Sequence, residues 1–313
     1  MRTAALLLLA LLASAPAGAQ QLAQYTQYVF NHFSVNPAVA GSKDCLDVRL
    51  GYRQQWVGLE GAPRNGWASL HGTLGRKKGG PNRNRHGIGF FAESDNAGNW
   101  GYTRLALAYA YHMQMARDYH LSFGFFGGAQ QMKYDVGAST VVDYNDPALD
   151  SRATALVVPE VTPGIWAYNK VAWAGLSMHQ ALGNRISGIG TDSRLARQFM
   201  LSGGYKYRIG RKTALIPSLL LKKSKAAPWA LDINGMVEWN RKFALGAGYR
   251  AGDAVSVLMK VSFAKYFQLG YSYDITTSRL RVGSSNTHEI ILGITPCGQE
   301  DMSRRMINCP AFD

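Results

Sequence analysis

Long apolar runs are what this chain most clearly lacks. No stretch of about 18 apolar residues occurs outside its N-terminus. A helix needs about 20 predominantly apolar residues to cross a bilayer, so a transmembrane helix is excluded. Without spanning helices, only a closed β-barrel can pair every backbone polar group inside a membrane. If the protein lies in a membrane, we therefore expect a barrel.

Recognisable catalytic patterns are also missing. No GxSxG, HExxH or P-loop motif occurs, and Gly87-Ile88-Gly89 is followed by bulky residues, unlike a nucleotide-binding loop. Asp232 and Glu238 could be taken for an acid and a base, but six residues along a tilted strand separate them by roughly 20 Å. That distance is too large for glycosidase-type chemistry. The sequence predicts a protein that is not an enzyme and needs no cofactor or metal.

Cysteine is rare, and the chain contains 3 of them: Cys45, Cys297 and Cys309. Their spacing fits no zinc-binding pattern. Cys297 and Cys309 bracket a short polar tail, and a disulfide between them, leaving Cys45 free, is favoured over three unpaired thiols.

Acidic residues are few relative to basic ones, 20 against 34, which gives a formal net charge of +14. Basic blocks such as Arg76-Lys77-Lys78 could suggest nucleic acid. However, Arg2, the apolar core Ala4 to Leu12 and the small residues Ala17-Gly18-Ala19 predict a secretory signal peptide over residues 1–19, cleaved after Ala19. In an exported protein we expect these charges to meet lipid headgroups, cell-wall polymer or acidic proteins instead of nucleic acid.

Period-two alternation is abundant, and the stretch Trp229 to Asn240 shows it most clearly. Apolar residues occupy the odd positions, with Trp229 and Trp239 near the two ends, and Asp232 and Glu238 occupy even positions. A tilted strand of about 11 residues covers roughly 27 Å, close to the apolar band of an outer-membrane barrel. A sandwich strand with one wet face would show the same alternation.

The connections between strands favour the barrel. About fourteen candidate strands run from Leu46–Arg53 to His288–Thr295, and from the fourth onward every second connection is tight and carries Lys or Arg. The intervening connections include the long segments 135–160, 181–196 and 275–287. Short periplasmic turns alternate with longer external loops in outer-membrane barrels, whereas a sandwich gives no reason for this parity. We predict an all-β, antiparallel transmembrane outer-membrane β-barrel of about 14 strands over residues 45–295. The long basic segment 75–86 is the exception, because the alternation of short and long connections places it in the periplasm, where a short turn is expected.

Two segments flank the predicted barrel. Residues 20–44 show no alternation and contain the turn-forming Asn36-Pro37, so they form an N-terminal arm that could fold into the barrel mouth. Residues 296–313 form a polar tail that we expect in the periplasm. A barrel of about 14 strands is narrower than a general porin, and the arm could close it. A binding or anchoring barrel and a gated channel or porin for small solutes both remain open.

Several linked motifs carry a family resemblance. The arm contains QYVFNHFSVNPAVAGSKD, and the sequence YRQQWVGLEGAP follows at Tyr52 to Pro63. The C-terminal half contains LGYSYDITTSRL at Leu269 to Leu280 and HEIILG at His288 to Gly293, and the tail carries PCG and NCPAF. In this order, the motifs resemble the PorP/SprF family of the type IX secretion and gliding motility system.

The resemblance implies an outer-membrane barrel of the Bacteroidota that supports secretion or cell-surface anchoring of proteins with C-terminal sorting domains. It also implies periplasmic type IX components or a peptidoglycan-binding protein as partners, beside the outer-membrane lipid. It implies no catalytic residues. The motif positions, which could serve to close the barrel or to contact cargo, are Tyr28, Phe30, Asn31, Asn36, Pro37, Gly41, Arg53, Gln55, Trp56, Gly58, Gly61 and Pro63.

Overall fold

A computed structural model describes residues 23–43, 45–74, 84–116, 118–135, 154–186, 193–225 and 227–296. The predicted signal peptide and its cleavage site lie outside these residues, as do Cys297, Cys309 and the tail beyond Pro296. So do residues 75–83 of the basic segment and residues 136–153 of the longest predicted loop. Within the described ranges, no helix is long and apolar enough to cross a membrane.

The alternating segments form one antiparallel sheet in which each strand pairs with the next and β15 pairs back with β1. The short β9 and the preceding β8 both pair with β10 and are two parts of one strand, interrupted at Lys206. Counted over the described residues, fourteen strands therefore close the barrel, which confirms the predicted fold. The strands are β1 Asp47–Gln54, β2 Arg64–Leu74, β3 Arg85–Ala97, β4 Trp100–Gln114, β5 His120–Tyr134, β6 Thr154–Tyr168, β7 Ala172–His179, β8 Gln198–Tyr205, β9 Tyr207–Arg208, β10 Thr213–Ser224, β11 Ala227–Trp239, β12 Phe243–Arg250, β13 Ala254–Phe263, β14 Phe267–Thr276 and β15 Thr287–Ile294.

Strand β11 shows how the outer and inner faces of the barrel wall differ. Trp229 and Trp239 are 64% and 61% exposed on the outer face, whereas Asp232 and Glu238 are buried in the lumen. The carboxylate of Asp232 lies 2.8 Å from the ammonium of Lys222 and 3.1 Å from the guanidinium of Arg250. Glu238 pairs separately with Lys206 at 2.9 Å. Both carboxylates are thus neutralised by neighbouring cations, which fits inward-facing lumen residues.

The barrel has two unlike ends. At one, which we call the turn end, residues 169–171, 209–212, 240–242 and 264–266 connect the strands tightly. At the other, the loop end, lie the longer connections 55–63 and 277–286 and the described residues 180–186 and 193–197. Strands β3 to β6 extend far toward the loop end, and β6 begins at Thr154. The backbone pairing of β5 and β6 continues there to Tyr134 and Thr154.

The prediction that Cys45 is free is wrong, because Cys45 is disulfide-bonded. The chain has 3 cysteines, so this bond also excludes a disulfide between Cys297 and Cys309. The closeness of Cys297 and Cys309 in sequence favoured a disulfide between them, but closure of the barrel brings other parts of the chain together. Val48 at the start of β1 pairs with Ile294 at the end of β15, which brings the beginning of the tail close to Cys45.

We expect an alkylating reagent, applied to denatured and unreduced protein, to label one cysteine other than Cys45. Peptide mass spectrometry identifies the labelled residue, and fully reduced protein, labelled at all cysteines, serves as the control. Label on Cys45 in the unreduced sample would contradict the disulfide.

Candidate functional site

The N-terminal arm, residues 23–43, lies inside the barrel. It folds into three short helical turns, Tyr28–Phe30, His32–Val35 and Pro37–Val39, and every residue from Thr26 to Lys43 is buried. Near its start, the backbone N–H of Ala23 donates to the Tyr102 hydroxyl at 3.0 Å, at the loop end. At its other extreme, Lys43 forms an ion pair with Asp47 at the turn end. The arm therefore follows the length of the lumen from the loop end to the turn end.

A buried ionic network holds the arm near the loop end. The guanidinium of Arg53 lies 2.9 Å from the carboxylates of both Asp274 and Glu289. Thr26 of the arm sits among these groups: its hydroxyl donates to Asp274 at 2.6 Å and its backbone N–H donates to Glu289 at 2.8 Å. Arg53 and Arg250 donate to the same hydroxyl oxygen at 2.6 and 2.9 Å. Charge-assisted hydrogen bonds of this kind are stronger than neutral ones, so this network fixes the arm's position.

Aromatic rings pack around the middle of the arm. Phe33 lies with its ring centroid 5.0 Å from that of Phe126 and 4.7 Å from that of His71. His32 lies between Trp166 and Trp173, at 5.4 and 5.5 Å. Tilted and edge-to-face pairs of this kind add to the apolar burial that holds the arm against the wall.

The irregular backbone of the arm's second half hydrogen-bonds to side chains of the wall. The carbonyl of Val35 accepts from the hydroxyl of Ser177 at 2.7 Å and lies 2.8 Å from Nε2 of His179. The carbonyl of Ala38 accepts from Ser122 at 2.8 Å. Buried backbone groups outside regular structure need such partners, so this wall is matched to the arm's path.

Asn36 attaches the arm to the backbone of the wall. Its amide nitrogen donates to the carbonyls of Ile165 and Leu176 at 2.9 and 3.2 Å, and its Oδ1 accepts from Ala38 N–H at 3.0 Å. Glycine in the wall makes this approach possible, because a Cβ on Gly164 would lie 2.2 Å from Asn36 Oδ1. Close backbone approach is a characteristic use of glycine in a strand.

The predicted motif residues form two groups. Tyr28, Phe30, Asn31, Asn36, Pro37 and Gly41 all lie in the buried arm. Gly41 has φ +72°, a conformation that glycine adopts without strain, and its Cβ would lie 2.5 Å from Gly87 Cα. Gln55, Trp56, Gly58, Gly61 and Pro63 lie at the loop end instead. Arg53, at the end of β1, belongs to the ionic network that anchors the first group.

The loop-end group builds a structured connection. The N–H of Gln55 donates to the Pro63 carbonyl at 3.0 Å, and Gly58 and Gly61 take φ values of +91° and +70°. Trp56 N–H donates to the Thr287 hydroxyl at 3.1 Å, which ties this connection to the start of β15. These glycines are therefore explained by backbone geometry.

Sequence reasoning missed Thr26, Arg250, Asp274 and Glu289 as site residues. The available signal was that charged residues occupy inward positions on several strands, which in a closed barrel must meet. Among the described residues, no group of three or more His, Cys, Asp or Glu is arranged to hold a metal ion.

A closed antiparallel barrel with an apolar outer surface and a polar interior, lined by its own N-terminal segment, defines a transmembrane β-barrel of the outer-membrane type. Residues 17–294 match the family described as Type IX secretion system membrane protein PorP/SprF. The chain belongs to this family, which confirms the resemblance carried by its motifs.

Among solved structures, the chain is similar to the Ralstonia pickettii toluene transporter TbuX, with 8% identity and a TM-score of 0.51 over 87% of this chain and 93% of that chain. It is also similar to a Pseudomonas aeruginosa FadL homologue, with 11% identity and a TM-score of 0.46 over 89% and 95% of the two chains. At 8% identity, the likeness to TbuX shows the fold alone. No curated protein matches the sequence.

Proposed function

We propose that this protein is a plugged, non-enzymatic outer-membrane barrel that supports secretion or cell-surface anchoring of proteins with type IX C-terminal sorting domains. The observation that carries the proposal is the arm, whose buried residues 26–43 occupy the lumen of a barrel in a secretion family. A cavity of about 20 Å³ between the arm and wall residues such as Glu93 and Arg104 has room for about one water. Because the arm fills the lumen, we favour contact with cargo outside the barrel over passage of cargo through it.

The loop end is the surface we assign to cargo. Outer-membrane barrels keep their short turns in the periplasm, so the loop end faces outward. There, Val57 N–H donates to the Asn286 carbonyl at 3.1 Å and Ser285 N–H donates to the Val57 carbonyl at 2.8 Å, joining connections 55–63 and 277–286. Leu59 and Val282 expose 37% and 89% of their surface on these joined connections. Exposed apolar residues on a preformed surface suit a protein partner.

We expect a sorting-domain protein to co-purify with the tagged barrel from mild detergent and to be identified by mass spectrometry. The double substitution Leu59→Asp and Val282→Asp should reduce its recovery at least tenfold, by placing charges in the apolar contact. Ala251→Asp, at another exposed loop-end connection, is the matched control and should leave recovery unchanged. Equal recovery with all three proteins, or unaffected secretion in a strain lacking the barrel, would contradict the proposal.

A gated channel for small solutes is the second candidate function. The observation that favours it is the way the arm is held, by hydrogen bonds, ion pairs and ring contacts in the region from Ala23 to Lys43. Such contacts can open without breaking a covalent bond. A large steady conductance of the unmodified protein in a planar bilayer would favour this function over the plugged barrel.

A further inference from the structure

A second open space lies at the turn end of the barrel, lined by residues of β9, β10, β11 and β13 and of the adjacent turns. It is a cavity of about 870 Å³. Within the described residues, the turn-end contacts of the arm include hydrogen bonds with Arg85, His112 and Ser122 and the ion pair with Asp47, all in the other half of the wall. The arm therefore leaves this half of the barrel mouth open. The volume lies in the range of sites that enclose ligands.

The cavity is strongly basic. Its lining includes six exposed cations, Arg208, Arg211, Lys212, Arg241, Lys242 and Lys265. Glu238, deeper in the cavity, is already paired with Lys206 at 2.9 Å. In the part of the chain that the structure describes, none of the six exposed cations forms an ion pair. We call this set of six residues the basic vestibule.

Two turns hold cations of the vestibule in unusual backbone conformations. Asn240 and Arg241 have φ values of +53° and +56°, and Ala264 and Lys265 have +47° and +66°. Turns with positive φ at two successive residues favour glycine at the second of them, because glycine takes a positive φ without strain. Arg241 and Lys265 occupy that position instead. An uncommon residue in a strained position is grounds for a functional hypothesis, and here both residues add charge to one cavity.

The vestibule opens into the barrel interior and not onto the membrane. Arg208 follows the buried Lys206 by two residues and Lys242 precedes the buried Ala244 by two, so both lie in phase with inward-facing positions. Lipid headgroups contact the outer face of a membrane barrel, whereas these charges line the mouth of the lumen. A narrow chain entering from the periplasm can reach them.

From this geometry we propose that the basic vestibule binds an acidic peptide segment of a periplasmic protein. Unpaired like charges around a concave site focus the electrostatic potential and steer an oppositely charged partner toward it. The partner's carboxylates would pair with the exposed guanidinium and ammonium groups. This inference does not rest on cargo contact at the loop end, so either can fail alone.

The test measures binding of a fluorescently labelled Glu-rich peptide to the full-length purified protein by anisotropy, in a zwitterionic detergent. A fourfold variant, Arg211→Gln, Lys212→Gln, Arg241→Gln and Lys242→Gln, is expected to weaken binding at least tenfold. The matched control removes four exposed cations at the loop end, through Arg64→Gln, Lys225→Gln, Arg279→Gln and Arg281→Gln, and should retain the affinity of the unmodified protein. Binding should also weaken with added salt, because exposed charges are screened.

Heat-modifiable electrophoresis shows whether each variant still forms a barrel, so that loss of binding is read only on folded protein. Peptide binding that is equal in both fourfold variants would overturn the proposal. So would binding of anionic phosphatidylglycerol vesicles in place of the peptide. Peptide binding that appears only after residues 299–313 are deleted would also overturn it, because the chain's own tail would then be the occupant.

Discussion

A barrel that lacks residues 23–40 is expected to conduct ions, whereas the unmodified protein is not. Barrels of about 8 strands are filled by their own side chains, and porins of 16 or more hold an aqueous channel. Fourteen strands lie between these sizes, so removal of an arm that is buried from Thr26 onward should leave space for water. Single-channel recording in a planar bilayer measures the change. A folded deletion variant without conductance would show that the arm is not the plug.

A single methyl group in the wall should produce a weaker form of the same effect. Gly164→Ala would place a Cβ 2.2 Å from Asn36 Oδ1, so the Asn36 side chain must shift and its hydrogen bonds to the wall must change. Gly235→Ala is the matched control, because a Cβ there meets no atom within 4 Å. We expect brief openings in the first variant and none in the second. Identical silence in both would mean that the contact with Asn36 does not keep the lumen closed.

The barrel wall could be predicted from sequence because its rule is local. Each strand alternates between lipid and lumen, so the exposed Trp229 and the buried Asp232 follow from period two alone. The alternation of short turns and longer loops then distinguished a closed barrel from a sandwich. The disulfide of Cys45 could not be predicted in this way, because it depends on which strands the closure brings together.

The path of the arm obeys no such rule. Its turns are too short to show a periodicity, and its contacts depend on wall residues far along the chain. Thr26, for example, meets Glu289 only after the last strand has paired with the first. Family motifs marked Asn36 and Arg53 as important without giving their partners. The structure of the wall therefore follows from local alternation in the sequence, whereas the path of the arm depends on contacts between segments that are distant in the sequence.

Replacement of Arg53 by Met is expected to destabilise the barrel strongly. Arg53 is 1% exposed and lies 2.9 Å from both Asp274 and Glu289. Its loss leaves two buried carboxylates with reduced compensation, since the Arg250 guanidinium is 3.5 Å from Asp274. Removing one partner of a buried ion pair typically costs about 3 to 5 kcal/mol. Urea unfolding of the detergent-solubilised barrel measures the free energy lost.

Two further variants distinguish the ion pairs from simple loss of a side chain. Arg64→Met, at an exposed position, should change the free energy of unfolding by at most about 0.5 kcal/mol. The triple variant Arg53→Met, Asp274→Asn and Glu289→Gln should recover much of the lost stability, because it removes the stranded charges together with the cation. If the triple variant were no more stable than Arg53→Met, the cost would come from lost packing.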